Sequence, residues 1–448
     1  MRHPVIVVFC IAFAIRIGYV LLIQLLHPNS IYFFDSWGYL NIGYNLFHDG
    51  IFTQMTAEPQ TPDSTRTPFY PIFISALHVL QLGGEWIVII QSFIGAFTAS
   101  IATQCALLLK RNKVAAFVVG IFVAINTPSI IFSNAVMTET WFTFFLTISV
   151  YYLIKSIKFE EPNLRLYAVL FMVCAAYTRP SAVYLLVLIP LLALLFNQHG
   201  LKYELKQTAM IISIGALLVA PWYYRNYKTF GSAFFSSIAE VNYLFHTASN
   251  INAKVNGTTR RVEEYKYRNN VPLSEYSFTH NSRVIPLFQK FARQECISVI
   301  KEHPLVALKI FSKSFVGFFI KPIRAPIGKQ LYGRKWNDTP PLTMVESNNS
   351  YWQSLLTAFK VGTKLEGLLI CFQLLFLVVL YLSILGSIPI WFKSDLNVGI
   401  ALMLLILFFS VTSSITDLDA RFRVPVIPIL AILAFPFWNK LLKKYAHE

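Results

Sequence analysis

Charge is scarce in these 448 residues. Asp, Glu, Lys and Arg together make up 13%, about half the share of an average soluble domain, which is about 25%. Acid is scarcer still: 22 Asp and Glu stand against 38 Lys and Arg, a net charge of +16. The length alone would suggest roughly three soluble domains of about 150 residues. The composition excludes that reading, since 55% of residues are apolar, 39 of them Phe, and the mean hydropathy is +0.55. So apolar a chain is not a simple basic nucleic-acid-binding domain either, and its positive charge needs another explanation. Cysteine is sparse: Cys10, Cys105, Cys174 and Cys371 lie in apolar runs and Cys296 alone in a polar one. No pair has the spacing of a zinc site, a redox motif or a disulfide framework, and the nine histidines form no H-x-x-x-H cluster. What remains is an integral membrane protein whose chemistry must lie at the few polar positions it keeps.

The run 5–26 is long enough to cross a hydrocarbon core of about 30 Å, and no small-residue cleavage site follows it. It reads as an uncleaved first helix rather than a signal peptide. Arg16, near its middle, is costly there and reads as one member of a bundle-facing structural pair. Further strong runs are 85–109, 114–132, 139–154, 166–178, 181–196, 208–224, 365–392, 397–415 and 422–438. The run 70–82 would span only about 20 Å as a helix, too short to cross comfortably.

Lys and Arg in short loops resist translocation and so set orientation. The short basic loops are 110–113, 155–165, 202–206, Lys393 and the tail 440–444. All can lie in the cytoplasm, with both termini, if 70–82 stays on the outer side as a juxtamembrane helix and ten helices cross (range 9–12). The expected fold is thus an all-α polytopic bundle. Its parts are an N-terminal transmembrane module over 1–224 with a first outer loop at 28–84, a large outer segment over 225–363, and C-terminal transmembrane helices over 364–448. The large segment holds 19 Lys and Arg against 8 Asp and Glu, a net +11. Its run 305–320 carries Lys309 and Lys313 and reads as amphipathic and interfacial, with a membrane span as the alternative. The positive charge therefore has two uses: part orients the helices, and part faces the outside.

Acidic and basic side chains cluster on that outer side. Asp35 opens a helix in the first outer loop, with Ser36 as a plausible N-cap, and Trp37 and Tyr39 give that helix an aromatic face. As a carboxylate at the membrane surface, Asp35 could take a proton from an acceptor; it could also simply cap its helix. Arg66 precedes Thr67-Pro68-Phe69-Tyr70-Pro71, and Glu139 begins a span, where a carboxylate suits the helix dipole. Arg179, Arg225, Arg421 and Arg423 all fall at outer helix ends. Any one could be snorkelling, but together they suit a phosphate-linked lipid, because guanidinium forks bind phosphate bidentately.

The ordered set 35–50, Arg66-Thr67-Pro68-Phe69-Tyr70-Pro71, Met137-Thr138-Glu139-Thr140-Trp141, Arg179-Pro180, Pro221-Trp222 with Arg225-Asn226, and Arg421-Phe422-Arg423-Val424-Pro425 resembles the GT-C polytopic glycosyltransferases. It is nearest to family 39 and its relatives, which include protein O-mannosyltransferases and the lipid A aminoarabinose transferase. The resemblance implies a GT-C-like bundle that moves a sugar from a polyprenyl-phosphate donor to a glycan, lipid or protein acceptor. It implies Asp35 and Glu139 as the acidic catalytic residues. It also implies Arg66 as the basic residue before the juxtamembrane prolines; Arg66, Arg179, Arg225, Arg421 and Arg423 are then expected around the donor phosphate, and Trp37, Tyr39 and Tyr70 around the substrate. Protein mannosyltransferases carry an Asp-Glu pair where this chain has Asp35-Ser36, which weakens the case for a protein acceptor and leaves a divalent metal an open requirement. No residue is assigned as a metal ligand.

A phosphate leaving group needs no general acid, so a single carboxylate on the opposite face of the sugar implies inversion by direct displacement. Two alternatives stand beside it: a lipid-linked oligosaccharide polymerase or ligase, which would use similar residues on a similar scaffold, and, from a different class, a transporter or flippase. Three N-x-[ST] patterns, at Asn256, Asn337 and Asn348, do not decide between a eukaryotic lumen and a bacterial periplasm; size and the lack of retention signals favour a bacterial inner membrane.

Overall fold

The computed structural model describes residues 3–57, 60–196, 199–270, 285–334, 363–416 and 420–443. These residues form helices and connecting turns and contain no strand. The N-terminal half comprises α1 (Pro4–Leu26), α2 (Phe34–His48), α3 (Phe69–Val79), α4 (Gly84–Leu109), α5 (Lys113–Ala124), α6 (Thr127–Ser133), α7 (Glu139–Phe159), α8 (Leu164–Thr178), α9 (Leu185–Phe196) and α10 (Leu201–Phe230). After it come α11 (Ile238–Asn242), a π-helical turn (Tyr243–Ala248), α12 (Ser249–Asn256), α13 (Arg260–Asn270), α14 (Ile285–Glu302), α15 (Pro304–Ile320) and α16 (Ala325–Tyr332). The chain closes with α17 (Lys364–Lys393), α18 (Leu396–Thr416), a 3₁₀ segment (Ala420–Val426), α19 (Ile427–Leu433) and α20 (Phe435–Leu441).

Seven described helical stretches are long and apolar enough to cross a membrane, or nine if each of two bent pairs is one span. The expected ten comprised these seven, the run 114–132, and the two short runs 166–178 and 181–196. The run 114–132 is the first bent pair, α5 and α6, which meet at 57°. Local chemistry explains the break: the Asn126 side chain caps α6 by accepting from Ser129 N at 3.1 Å, and Pro128 sits in its first turn. The two short runs form helices of less than full span length. The second bent pair, α14 and α15, turns through 104°; it contains the run expected to be interfacial, and α15 packs along α18. Helix α10 runs unbroken to Phe230, past 225, where the large outer segment was expected to begin.

The bundle centres on α1, α4, α5 and α7, packed through small side chains. Helix α4 buries Gly95, Ala96, Ala99, Ala102, Thr103 and Ala106, so neighbouring backbones come close, the usual basis of helix association in lipid. Outward, α17 shows Leu368, Leu375, Leu382 and Leu385, each at least 60% exposed, a stripe suited to acyl chains. Arg16 is 1% exposed. It donates to Ala12 O at 3.1 Å, Ala124 O at 3.2 Å and Val123 O at 3.4 Å. Its partners are thus a carbonyl of its own helix and two orphan carbonyls at the end of α5 rather than a carboxylate.

The two ends of the bundle differ chemically. At the end where α4 and α7 finish, Lys158 donates to Leu109 O at 2.9 Å and pairs with Asp395 at 2.8 Å. Buried Arg165 pairs there with Glu204 at the start of α10. The start of α2, the start of α7, the end of α8 and the 3₁₀ segment before α19 meet at the opposite end.

Candidate active site

At that opposite end Asp35 lies in the first turn of α2. Ser36, expected as an N-cap, is the third residue of the helix. Its hydroxyl accepts from Phe33 N and donates to Val136 O, both at 2.8 Å, which ties the helix start to the α6–α7 connection. Asp35 is held between two guanidiniums: Arg66 reaches Oδ1 at 2.9 Å and Arg421 reaches Oδ2 at 3.0 Å. The three side chains keep 17–28% of their surface accessible, so the triad lies at a protein–solvent boundary. Burial by itself pushes the Asp35 carboxyl up, but Arg66 and Arg421 outweigh it and hold the group well below the usual carboxylate range.

Arg66 is positioned with care. Its guanidinium lies 4.5 Å from the Tyr39 ring centre and donates to the Tyr39 hydroxyl at 3.1 Å. Its backbone is fixed by an Asx turn in which Asp63 Oδ1 accepts from Thr65 N at 2.9 Å and Arg66 N at 2.7 Å. Gly38 makes room for this arrangement, because a Cβ there would stand 2.6 Å from Gln54 Oε1 and 3.5 Å from Arg66 Nε. Tyr70 meets Tyr39 edge to face at 5.1 Å and donates to Gln91 Oε1 at 2.7 Å. Burial, with Tyr39 and Glu139 nearby, pushes the Tyr70 hydroxyl well up and keeps it protonated.

The second carboxylate differs. Glu139 begins α7 and is 1% exposed. Its Oε1 accepts from Arg179 at 3.0 Å, while its Oε2 is buried with no hydrogen-bond partner. Arg179 follows α8 in extended conformation, as a residue before proline prefers. Phe422 joins the two clusters: its ring lies 5.6 Å from the Arg179 guanidinium and 5.1 Å from that of Arg421. Two carboxylate–arginine groups from five separate stretches of chain therefore meet around one aromatic ring.

Three residues chosen from the sequence sit elsewhere. Arg225 donates to Asp63 O at 2.8 Å, with Trp222, Phe52 and Phe230 about it at 4.9–5.3 Å, so it braces the loop that carries Arg66. Arg423 is 2% exposed and donates to Phe318 O at 2.7 Å and Lys321 O at 2.8 Å, a buried peg between segments. Trp37 is 57% exposed and stacks on Tyr32 at 5.4 Å. Sequence reading had not singled out Phe422 as the linking ring, nor Asp63 and Gln91 as supports; the Asp-Ser-Thr pattern at 63–65 is the one local signal for the Asx turn.

Among the described residues no group of three or more His, Cys, Asp and Glu stands close enough to hold a metal ion, and both oxygens of Asp35 are engaged by guanidiniums. Asn256 donates to Glu263 at 3.2 Å; the patterns at Asn337 and Asn348 lie outside the described residues.

Fold and site define a polytopic helical membrane protein with a paired carboxylate–arginine centre at one end of its bundle. No family model matches the chain, and no curated protein matches it. Among solved structures it is similar to an oligosaccharyltransferase of Archaeoglobus fulgidus tethered to an acceptor peptide with an NVT sequon, at 14% identity and a TM-score of 0.49 over 100% of this chain. The chain spans about half, 51%, of the length of that protein. It is also similar to ArnT from Cupriavidus metallidurans in the apo state, at 11% identity and a TM-score of 0.40, over 96% of this chain and 77% of that one.

Proposed function

We propose that the chain is a membrane glycosyltransferase that moves a sugar from a polyprenyl-phosphate donor to a hydroxyl acceptor, with inversion, at the extracytoplasmic face of a bacterial inner membrane. The observation that carries this reading is the meeting of Asp35–Arg66–Arg421 and Glu139–Arg179 around Phe422. A donor phosphate needs cations that neutralise the charge it gains as the glycosidic bond lengthens. Arg66 and Arg421 supply two, with part of each side chain accessible. An acceptor hydroxyl needs a carboxylate that can orient it and take its proton.

The electrostatics give the two carboxylates different roles. While both arginines lie on Asp35, its low basicity makes it a poor proton acceptor. A donor phosphate that draws Arg66 and Arg421 toward itself frees the Asp35 oxygens and raises their basicity. Glu139, with one oxygen on Arg179 and the other unpartnered, orients the acceptor. The Asp35 carboxylate then takes the hydroxyl proton as the acceptor oxygen bonds to the anomeric carbon, and the phosphate leaves with the electrons of the broken C–O bond. The test is single-turnover transfer from a panel of polyprenyl-phosphate hexoses and pentoses to envelope glycolipids by the purified protein in nanodiscs. Product that disappears in Asp35→Asn supports the reading. Solute uptake without sugar transfer would overturn it in favour of transport.

A further inference from the structure

Arg324 is a buried guanidinium apart from the Asp35 centre. Its residue exposure is 4%, and its Nε and Nη2 atoms are buried without a hydrogen-bond partner. The segment that carries it is nevertheless fixed from two sides. Gln373 of α17 accepts from Ile323 N at 3.0 Å and donates to Ile323 O at 3.2 Å, and the buried peg Arg423 holds Lys321 O. Ile323 itself packs with Phe33, Ala420 and Val424, on the flank of the Asp35 centre. A guanidinium held this firmly and left unpaired is costly, and a structure that pays for order around such a group implies an anion that completes it.

The charges that bear on Arg324 are Glu366 and Arg334, and these two pair with each other at 2.7 Å. Two guanidiniums against one carboxylate leave an excess of one positive charge. That matches a phosphodiester, whose oxygens also suit the guanidinium fork. Arg324 opens α16, a helix start without a side-chain cap, and the positive end of that dipole has the same sign preference. We infer that Arg324, backed by Arg334, binds a phosphate group other than the one taken by Arg66 and Arg421. That group belongs either to a second substrate or to a membrane phospholipid. The inference concerns binding alone and stands whether or not the transfer reading holds.

Thermal midpoints of the detergent-solubilised protein, titrated with inorganic phosphate against chloride at constant ionic strength, test it. Phosphate should raise the wild-type midpoint saturably. Arg66→Gln, which leaves Arg324 intact, should keep a saturable rise, and the double variant Arg66→Gln/Arg324→Met should lose it. A parallel arm compares nanodiscs of phosphatidylglycerol with nanodiscs of phosphatidylcholine. A rise with phosphatidylglycerol alone, again lost in Arg324→Met, assigns the site to a lipid headgroup; a rise with inorganic phosphate assigns it to a mobile substrate. Arg324→Lys, which keeps charge but not the fork, should show a weaker response and serves if the Met variant does not fold. The inference fails if no probe shifts the midpoint, or if the shift survives Arg324→Met and vanishes in Arg66→Gln.

Discussion

Asp35→Asn separates the proposed chemistry from a structural role. The substitution keeps shape and removes the one negative charge between Arg66 and Arg421. Both ion pairs are partly exposed, so each is discounted for solvent screening to about 1 kcal/mol, and the folding cost should be about 1–3 kcal/mol. The catalytic cost is larger, because loss of a positioned base lowers the rate by about 10²–10⁴-fold, or about 3–5 kcal/mol of barrier. Donor affinity should move the other way. In the wild type the donor phosphate competes with Asp35 for two guanidiniums; without that rival, donor binding should tighten by about 3–30-fold, the equivalent of about 1–2 kcal/mol. Calorimetric titration with a polyprenyl-phosphate sugar, beside single-turnover transfer, reads both quantities. Tighter donor binding with lost transfer supports the reasoning; wild-type turnover, or weaker binding in proportion to lost stability, refutes it. The pH dependence follows from the same pairing. The folded Asp35 carboxyl titrates below its unfolded value of about 3.9, so its contribution to stability is present above that pH and is lost as pH falls through the folded value. For the free enzyme, kcat/KM should therefore show no acid limb from Asp35 above about pH 4.

Glu139→Gln keeps a hydrogen-bond acceptor for Arg179 but removes the carboxylate, and should lower transfer about 10²-fold or more with donor affinity unchanged in the same titration. Arg423→Met leaves the carbonyls of Phe318 and Lys321 without their donor; it should cost about 1–3 kcal/mol of stability by denaturant unfolding, with little change in kcat for the folded fraction. Gly95→Ala places a Cβ 2.7 Å from Arg16 Nε, a residue anchored on three carbonyls, and should destabilise by about 1–3 kcal/mol, seen as a lower thermal midpoint. Trp37→Ala, at a largely exposed ring, should change stability by less than about 1 kcal/mol and leave transfer near the wild-type rate.

Much of this architecture is legible in the sequence because hydropathy and loop charge act on whole segments. Seven of the ten expected spans, and the gathering of Asp35, Arg66, Glu139, Arg179 and Arg421 at one end of the bundle, follow from such averages. What an average hides is the direction of individual side chains. Arg421 and Arg423 are two residues apart, yet the 3₁₀ segment points one at Asp35 and buries the other on the carbonyls of Phe318 and Lys321. Arg225 looks like a phosphate ligand at a helix end until its partner, a backbone carbonyl 162 residues away, is known. The break between α5 and α6 was written in Asn126-Thr127-Pro128, a cap followed by a helix-starting proline, but an apolar run on both sides outweighs three residues in any hydropathy window.

The contrast between the two carboxylates carries a further consequence. If Asp35 stood free, it would accept protons from water as readily as from an acceptor, and a donor bound beside it would be open to hydrolysis. Clamped by Arg66 and Arg421, it is neutralised until an anion of higher charge density pulls those guanidiniums away. On the proposed mechanism the same two arginines serve twice, first by masking the base and afterwards by stabilising the departing phosphate. Glu139 cannot be masked in that way, since Arg179 engages only one of its oxygens; it is suited to hold the acceptor before the donor arrives. On this logic donor binding arms Asp35, and loss of either Arg66 or Arg421 should expose the donor to water. An Arg421→Gln enzyme with weakened transfer and a raised ratio of free sugar to transferred sugar would carry that signature, whereas an unchanged ratio would show that the arginines bind phosphate without masking the base.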